Sequence, residues 1–216
     1  MIANFSIILE ESCAEIVEKK SRFIATAIPV KSEDEALLFL QQLNKKYWDA
    51  KHNCYAYIIG ENQEIKRFSD DKEPSGTAGK PILDVIEGMG LTNILVVVTR
   101  YFGGILLGTG GLVRAYSSAA KEAVIKATIY PVLSGFKVSF SCDYSNSQKV
   151  LRIISLLGIP VISSKYSENV SFCLAVSEEK IDSFKEKITE ATSASANLDI
   201  SEKINFCIQD SKAILL

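Results

Sequence analysis

The spacing of hydrophobic and polar residues predicts alternating strands and helices in the second half of this chain. Residues 136–142 alternate apolar and polar side chains, which predicts a strand with one buried face. Helices are predicted to begin at Ser145 and at Ser177, because apolar residues recur on one helical face after each of these start signals. Three further strands are predicted at residues 161–166, 170–176 and 204–208. The order βαββαβ is that of a ferredoxin-like fold, in which two helices cover an antiparallel sheet.

The first half predicts a different α+β arrangement. A helix is expected from Ser32, where a capping pattern with Glu35 precedes an apolar stripe. Residues 94–98 form a continuous aliphatic run, typical of a strand covered on both faces, and a long helix is expected over about 111–127. The remaining elements predicted in this half are strands at 14–18, 22–28, 53–59 and 64–68 and a short helix at 81–87.

A change in glycine content suggests two domains. Ten of the twelve glycines lie between Gly60 and Gly111, so the second half is poor in them. The long helical pattern then meets Pro131, a residue that cannot continue a helix interior. We therefore expect a boundary within residues 128–134, with domains at 1–130 and 131–216.

Composition limits the classes of protein that remain. The chain has 216 residues, of which 47% are hydrophobic and 23% charged, as in ordinary globular proteins. Its longest apolar run is short, and its five cysteines are odd in number and far apart, so a membrane span, a disulfide framework and a CxxC-type zinc site are not expected. A cytoplasmic protein with reduced thiols fits best. The net charge of −2 means that nucleic acid would have to bind at a local basic patch.

The first glycine-rich loop, residues 67–80, carries three acidic side chains. Asp70, Asp71 and Glu73 can in principle hold a hard cation through their carboxylate oxygens. The alternative is a solvated turn in which aspartates act as caps. The loop fails the phosphate-loop pattern, since Pro74 and Pro81 stand where glycine and Ser or Thr are required.

The second glycine-rich loop, residues 99–111, precedes the long helix. A helix N-terminus with free N–H groups, flanked by Arg100 and Arg114, is a candidate anion site. Tyr101 and Phe102 offer stacking surfaces for unpaired bases. The alternative is that the glycines only permit tight packing and that both aromatic residues belong to the core. The residues expected at the helix start are Gly108, Thr109, Gly110 and Gly111.

His52, the only histidine, and Cys54 form a second kind of candidate site. If residues 51–56 form a strand, the two side chains share a face, which is the geometry that a Cys–His nucleophile pair needs. The alternative is a structural histidine beside an inert, buried cysteine.

Four stretches of sequence resemble the IMPACT/YigZ family. They are KKSRFIATAIPV at 19–30, HNCYAYIIG at 52–60, SDDKEPSGTAGKPIL at 69–83 and VTRYFGGILLGTGGLVRAY at 98–116. The resemblance implies a first domain with the fold of ribosomal protein S-five domain two, related to domain IV of elongation factor G. It also implies a second, ferredoxin-like domain of the kind that bacterial YigZ-type members carry.

The resemblance implies a link to translation. Eukaryotic relatives inhibit a starvation-responsive kinase through its ribosome-associated activator, but they use an additional N-terminal domain that residues 1–14 are not expected to supply. No agreed catalytic role attaches to the family motif, and Lys72 replaces its usual glycine, so a β-carbon disfavours positive φ there. The motif residues present are Arg22, Phe23, His52, Asp70, Asp71, Glu73, Pro74, Gly76, Thr77, Gly79, Arg100, Tyr101, Phe102, Gly103, Gly104, Gly108, Gly110, Gly111, Arg114 and Tyr116.

The sequence therefore favours a non-enzymatic, translation-linked regulator without a cofactor. We expect the two glycine-rich loops, with Arg67, Lys80, Arg100 and Arg114, to converge on one face that binds RNA phosphates or a ribosomal surface. Two alternatives remain open at this point. One is a hydrolase, either metal-assisted through the acidic trio or thiol-dependent through Cys54, and the other is a regulator that binds only proteins.

Overall fold

The computed structural model describes the backbone of residues 2–216 and the side chains from Phe5 onward. The described chain is a mixed α+β protein with five helices and eleven strands. It divides into an N-terminal unit, residues 5–129, and a C-terminal unit, residues 130–216 with the first four residues. Within the described residues, no helix combines the length and the apolar character that crossing a bilayer requires.

The N-terminal unit is built on a five-stranded antiparallel sheet. Its chain contributes strands β1 (Ile2–Ile8), β2 (Ser12–Glu18), β3 (Ser21–Pro29), β4 (His52–Ile59), β5 (Ile65–Ser69) and β6 (Ile94–Tyr101), and helices α1 (Glu33–Lys46), α2 (Gly79–Gly88) and α3 (Thr109–Lys126). The strand order in the sheet is β2-β3-β6-β4-β5, and β1 belongs to the other sheet. Ser32 caps α1 by accepting a hydrogen bond from the N–H of Glu35, as predicted.

Helices cover both faces of this sheet. Leu95 and Val97 of β6 pack on the α1 side, whereas Val96 and Val98 pack on the side of α2 and α3. The side chains of β6 are buried from Ile94 to Arg100, so the predicted doubly covered strand is confirmed. This packing fixes the ends of the central strands and hence the loops that follow them.

Both glycine-rich loops leave the same end of the N-terminal sheet. At this end β2 turns into β3, β4 begins, and β5 and β6 finish. The register of the antiparallel ladders shows this, since Glu18 pairs with Ser21 and His52 pairs with Arg100. We call this region the loop end and define it as residues 19–20, 47–51, 70–79 and 102–108.

The C-terminal unit has the predicted succession of strands and helices with one strand more. Its elements are β7 (Ile129–Cys142), α4 (Tyr144–Leu157), β8 (Val161–Tyr166), β9 (Val170–Ser177), α5 (Ile181–Ala191), β10 (Asp199–Gln209) and β11 (Lys212–Leu215). Antiparallel ladders give the local order β10-β7-β9-β8. Ile154 of α4 and Phe184 of α5 pack with Phe140 and Phe172 of the sheet in one core. The strand β11 was not predicted.

Three predicted boundaries in the C-terminal half are wrong. The strand β7 begins at Ile129, seven residues before the predicted start at residue 136, and includes Pro131. Pro131 precedes the residues of β7 that pair with β9 and β10, so its missing N–H removes no hydrogen bond to either of those strands. Helix α4 is capped by Asp143 rather than Ser145, because the Asp143 carboxylate accepts the hydrogen bond from the N–H of Asn146. Ser177 ends β9 instead of starting α5.

Candidate functional site

A buried carboxylate, Glu73, holds the two glycine-rich loops together at the loop end. Its Oε1 accepts hydrogen bonds from Arg100 Nη1 at 2.5 Å and from the Tyr116 hydroxyl at 2.9 Å. The side chains of Glu73 and Arg100 are only 4% and 6% exposed. A charge pair buried this deeply binds the loop after β5 to the last residues of β6 and to the core helix α3. His52 Nε2 lies 3.7 Å from Glu73 Oε1, and Cys54 Sγ lies 3.4 Å from the Tyr116 hydroxyl, so we call these five residues the Glu73 network.

Asp70 shapes the first loop from within. Its carboxylate accepts hydrogen bonds from the backbone N–H groups of Gly76, Ala78 and Gly79 at 2.8 to 2.9 Å. These bonds close the loop and give hydrogen-bond acceptors to the first N–H groups of α2, because its N-cap residue, Ala78, makes no side-chain hydrogen bond to them. Gly79 is required by space, because a Cβ there would lie 2.7 Å from the backbone of Ser69.

Asp71 and Lys72 form a left-handed turn within this loop. Their φ angles are +39° and +68°, so Lys72 adopts the conformation that its β-carbon disfavours. The Asp71 carboxylate accepts a hydrogen bond from the N–H of Asn53 at 2.6 Å, and its carbonyl accepts one from His52 Nδ1 at 2.7 Å. The turn is thereby attached to the first residues of β4.

These contacts argue against the acidic trio as a cation site. The carboxylates of Asp70, Asp71 and Glu73 each accept hydrogen bonds from protein donors and point to different partners. Among the described residues, no group of three or more His, Cys, Asp or Glu side chains is placed to hold a metal ion. The alternative of aspartates acting as turn caps describes Asp70 and Asp71 better, while Glu73 is a buried ion-pair partner.

Cys54 lies inside the core beneath the first loop. Its side chain is fully buried, and its thiol donates to the carbonyl of Asp70 at 3.0 Å. Burial is the main cause that raises the pKa of the Cys54 thiol to about 12, with the nearby Glu73 carboxylate adding to it. The thiol is therefore protonated at neutral pH, and the structure offers no activated nucleophile at Cys54 and His52.

We predict that Cys54 resists alkylation in the folded protein. A maleimide at neutral pH should modify the exposed Cys13, whereas Cys54 should react only after denaturation, because its thiol is buried and un-ionised. Mass spectrometry of proteolytic peptides measures both sites in one sample, with Cys13 as the internal control. Labelling of Cys54 at the rate of Cys13 in the folded chain would restore the thiol hydrolase as a candidate.

The start of α3 is open to solvent and lies beside one guanidinium. Gly108, at φ +72°, precedes the helix and gives it no side-chain cap, and Thr109 and Gly110 are exposed. Arg114 Nη1 lies 3.6 Å from the position that a Cβ on Gly110 would take. The first turn of α3 therefore presents unpaired N–H groups next to a positive charge, which is the arrangement that anions favour.

The predicted convergence of four basic residues on one face is wrong. Arg100 points into the core toward Glu73. Arg67 lies on β5 with its Nε 3.6 Å from Glu33 of α1, on the opposite side of the sheet from α3. Lys80 forms an ion pair with Asp84 along the exposed side of α2. The alternation of side chains along strands places Arg67 and Arg100 on opposite faces of the sheet, and Lys80 lies on α2. Of the four residues, only Arg114 lies beside the start of α3.

Tyr101 and Phe102 are not core residues. Phe102 is 42% exposed, and Tyr101 is half-buried with its hydroxyl donating to Asp49 Oδ1 at 2.8 Å. The guanidinium of Arg100 lies 5.6 Å from the centre of the Phe102 ring and 5.3 Å from that of Phe23. Part of Phe102 thus covers the buried arginine, and the rest faces water.

The residues that sequence reasoning missed are lysines of neighbouring turns. Gly103 donates its N–H to the Ser21 hydroxyl, and a Cβ on Gly103 would lie 2.0 Å from the backbone of Lys20, so the second loop rests on the Lys19–Lys20 turn. A groove of about 260 Å³ lies between this turn and α3, lined among others by Lys19, Glu18, Leu107, Gly111 and Arg114. The signal was the pair of lysines between two strand patterns, which is typical of a hairpin turn.

A larger groove than this one lies in the C-terminal unit. It has a volume of about 600 Å³ and is lined by hydroxyl side chains of the sheet, among them Ser139, Ser141, Ser163 and Ser171. Lys165 and Asp199 are its only charged lining residues. Phe140 and Phe172 also line it, but their side chains are buried in the core, so with few charges and little exposed aromatic surface this groove supports a specific ligand less than the loop end does.

Comparisons with known proteins assign both units. The family model described as Impact N-terminal domain matches residues 19–124, and the model described as domain of unknown function DUF1949 matches residues 140–195. IMPACT family member YvyE of Bacillus subtilis is 39% identical over 202 residues, which cover 94% of this chain and 93% of YvyE. IMPACT family member YigZ of Escherichia coli is 34% identical over 182 residues, which cover 83% and 89% of the two chains.

Two solved structures were also similar. A crystal structure described as that of a hypothetical protein has a TM-score of 0.58 and 32% identity, covering 92% of this chain and 98% of the other. A structure described as the two-domain translational regulator Yih1 shares 30% identity over 54% of this chain and 46% of its own, with a TM-score of 0.37, too low to carry an argument. Two-unit α+β proteins with this pair of glycine-rich loops form one class. This chain belongs to that class, the IMPACT family.

Proposed function

We propose that this protein is a non-enzymatic, translation-linked regulator of the cytoplasm that binds RNA phosphates, including those on the ribosomal surface, at the loop end. The observation that carries the proposal is the open first turn of α3 beside Arg114 and the Lys19–Lys20 turn. Free N–H groups and lysine and arginine side chains are the donors that bind phosphate oxygens. The link to translation rests on the family motifs that both loops carry.

The cations at the loop end support an anionic partner through their position and not through a net local charge. Within the loop end, Lys19, Lys20, Lys51 and Lys72 are balanced by Asp49, Asp70, Asp71 and Glu73. The Glu73 charge is paired with the buried Arg100, whereas the carboxylates of Asp70 and Asp71 accept backbone N–H hydrogen bonds. The proposal therefore rests on Lys19 and Arg114, which line one groove beside the start of α3 together with Glu18.

The fold relatives that the motifs imply fit the same proposal. We assign the N-terminal unit to the fold of ribosomal protein S-five domain two and of elongation factor G domain IV. The C-terminal unit is assigned to the ferredoxin-like fold, since its antiparallel order β10-β7-β9-β8 with two helices in one core is the split βαβ arrangement. The resemblance relates both folds to elongation factor G, and this is an argument by fold analogy only.

A protein partner is the second candidate, favoured by the apolar tip of the second loop. Leu106 is 82% exposed, and Ile105 and Val113 are also exposed beside it. Apolar side chains clustered on a surface mark protein-binding sites. Pull-down from a lysate with and without nuclease separates the two candidates, because a partner bound through RNA is lost on nuclease treatment and a partner bound by Leu106 is retained.

We predict that RNA binding weakens with salt and that Arg114 and Lys19 carry part of this dependence. The slope of log affinity against log salt for a single-stranded RNA should become shallower by about 0.7 when either residue is replaced by alanine, since each contributes one phosphate contact. Fluorescence anisotropy of a labelled RNA measures the slope. Lys121→Ala removes an exposed lysine farther along the same helix and should leave the slope unchanged. Equal slopes for Arg114→Ala, Lys19→Ala and the unmodified chain would remove the proposal.

A further inference from the structure

Aromatic rings and cations form close pairs at the loop end and directly beside it. Three rings in this region each have a positively charged group within 6 Å of the ring centre, the distance at which cation–π attraction acts. The pairs are Lys46 with Tyr47 at 5.0 Å, Lys51 with Phe102 at 5.3 Å and Arg22 with Tyr101 at 5.6 Å. Arg22 is neutralised by a bidentate pair with Glu15, so Lys46 and Lys51 are the cations available to a ligand.

Trp48 directly follows Tyr47 in the segment that also carries Lys51, and its side chain is almost wholly uncovered. It is the only tryptophan of the chain, and its side chain is 82% exposed. An indole left in water forgoes the free energy that its burial would contribute, so folding of this unit does not explain its position. Its exposure instead leaves a large flat surface available at the loop end.

The segment that carries Trp48 is fixed to the end of β6. The N–H of Ala50 donates to the carbonyl of Tyr47 at 3.0 Å, and the N–H of Lys51 donates to the carbonyl of Arg100 at 3.2 Å. Asp49, the next residue after Trp48, accepts the hydrogen bond of the Tyr101 hydroxyl at 2.8 Å. Tyr101 thus acts as a positioning residue that holds the Trp48 segment beside Phe102.

We propose that Trp48 and Phe102 form a stacking platform for unpaired RNA nucleotides, with Lys46 and Lys51 contacting the adjacent phosphates. This inference rests on the proposed function and specifies the class of RNA. Exposed rings offer a face on which any base stacks, and flanking cations follow the backbone, which is how single strands are bound. Bases within a duplex present no free face, so these rings favour single-stranded segments.

The natural fluorescence of Trp48 tests the platform directly. Stacking of a base on the indole should quench the emission of the full chain, which contains no other tryptophan. A single-stranded RNA of about ten nucleotides, within the usual site size, should quench and bind at least tenfold more tightly than its duplex. Titrations at two salt concentrations separate stacking from the purely ionic contribution.

Variants read by anisotropy of a labelled RNA complete the test. Trp48→Ala should lower the affinity for the single strand about tenfold, whereas Trp48→Phe should retain most of it, because a ring remains. Leu38→Ala, which removes an exposed apolar side chain of the preceding helix α1, is the matched control and should change nothing. If Trp48→Ala binds as the unmodified chain while Arg114→Ala still weakens binding, the platform is wrong and the proposed function stands. If the chain binds neither single-stranded nor duplex RNA, the proposed function itself fails.

Discussion

Glu73→Ala is expected to destabilise the N-terminal unit by about 3–5 kcal/mol. The substitution leaves the Arg100 guanidinium without its counter-ion in a site where its side chain is 6% exposed, and an unpaired buried charge carries a cost of this size. Arg100 Nε already has no hydrogen-bond partner among the described residues, so the protein offers no nearby replacement acceptor for that atom. Hydrogen exchange of the β4 and β6 amides in the full chain measures the loss within this unit.

Two further variants decide whether charge burial is the cause. Glu15→Ala removes the partner of the exposed Arg22, a pair with good bidentate geometry, and should have a far smaller effect because water solvates both groups. The double variant Glu73→Ala with Arg100→Met removes both buried charges and should recover much of the lost protection. If Glu73→Ala costs no more than Glu15→Ala, the Glu73 network does not hold the loops together.

The alternation of side chains made the centre of the N-terminal sheet predictable. Residues 94–98 are aliphatic at every position, and a strand of that composition can only be stable when both faces are covered. The same periodicity places Arg100 on the face of Val96 and Val98, toward the core. Arg100 was nevertheless expected at the surface, because its charge and its proximity to the glycines suggested an anion ligand.

The partner of Arg100 could not be predicted from the sequence. Glu73 lies 27 residues earlier in a loop whose composition suggested a solvated turn. Only the three-dimensional return of that loop, fixed by hydrogen bonds from three N–H groups to the Asp70 carboxylate, brings the carboxylate of Glu73 to the end of β6. Contacts of this kind depend on loop conformation, which local propensity does not determine.

The composition of a short segment carried a signal that periodicity concealed. Residues 45–51, KKYWDAK, place two aromatic side chains among three lysines at the end of a helix. Tyr47 continues the apolar stripe of α1, and in the structure it is the C-cap residue, half-buried and packed against the core on the α1 side of the sheet. Trp48 falls off the stripe, and an aromatic residue that leaves the helical period beside lysines indicates a surface role.

Gly103→Ala is expected to separate the second loop from the Lys19–Lys20 turn and to weaken RNA binding together with stability. A Cβ at this position would lie 2.0 to 2.4 Å from backbone atoms of Lys20 and Ser21, which cannot move without shifting the β2–β3 hairpin. The hydrogen bond from Gly103 N–H to the Ser21 hydroxyl would be lost as well. Overpacking against backbone of this kind costs about 1–3 kcal/mol or more.

Gly88→Ala is the matched control for this change. It adds the same methyl group at the end of α2, where a Cβ meets no atom within 4 Å, and should leave stability and RNA affinity unchanged. Hydrogen exchange of β2 and β3 and the anisotropy titration are measured on both variants. Because the lysines, Arg114 and the open start of α3 are all still present in Gly103→Ala, a loss of affinity in a chain that remains folded means that RNA requires the second loop and the Lys19–Lys20 turn to be held side by side. Full affinity in a chain whose hairpin amides exchange faster would show instead that α3 and Arg114 bind phosphate without the help of the Lys19–Lys20 turn.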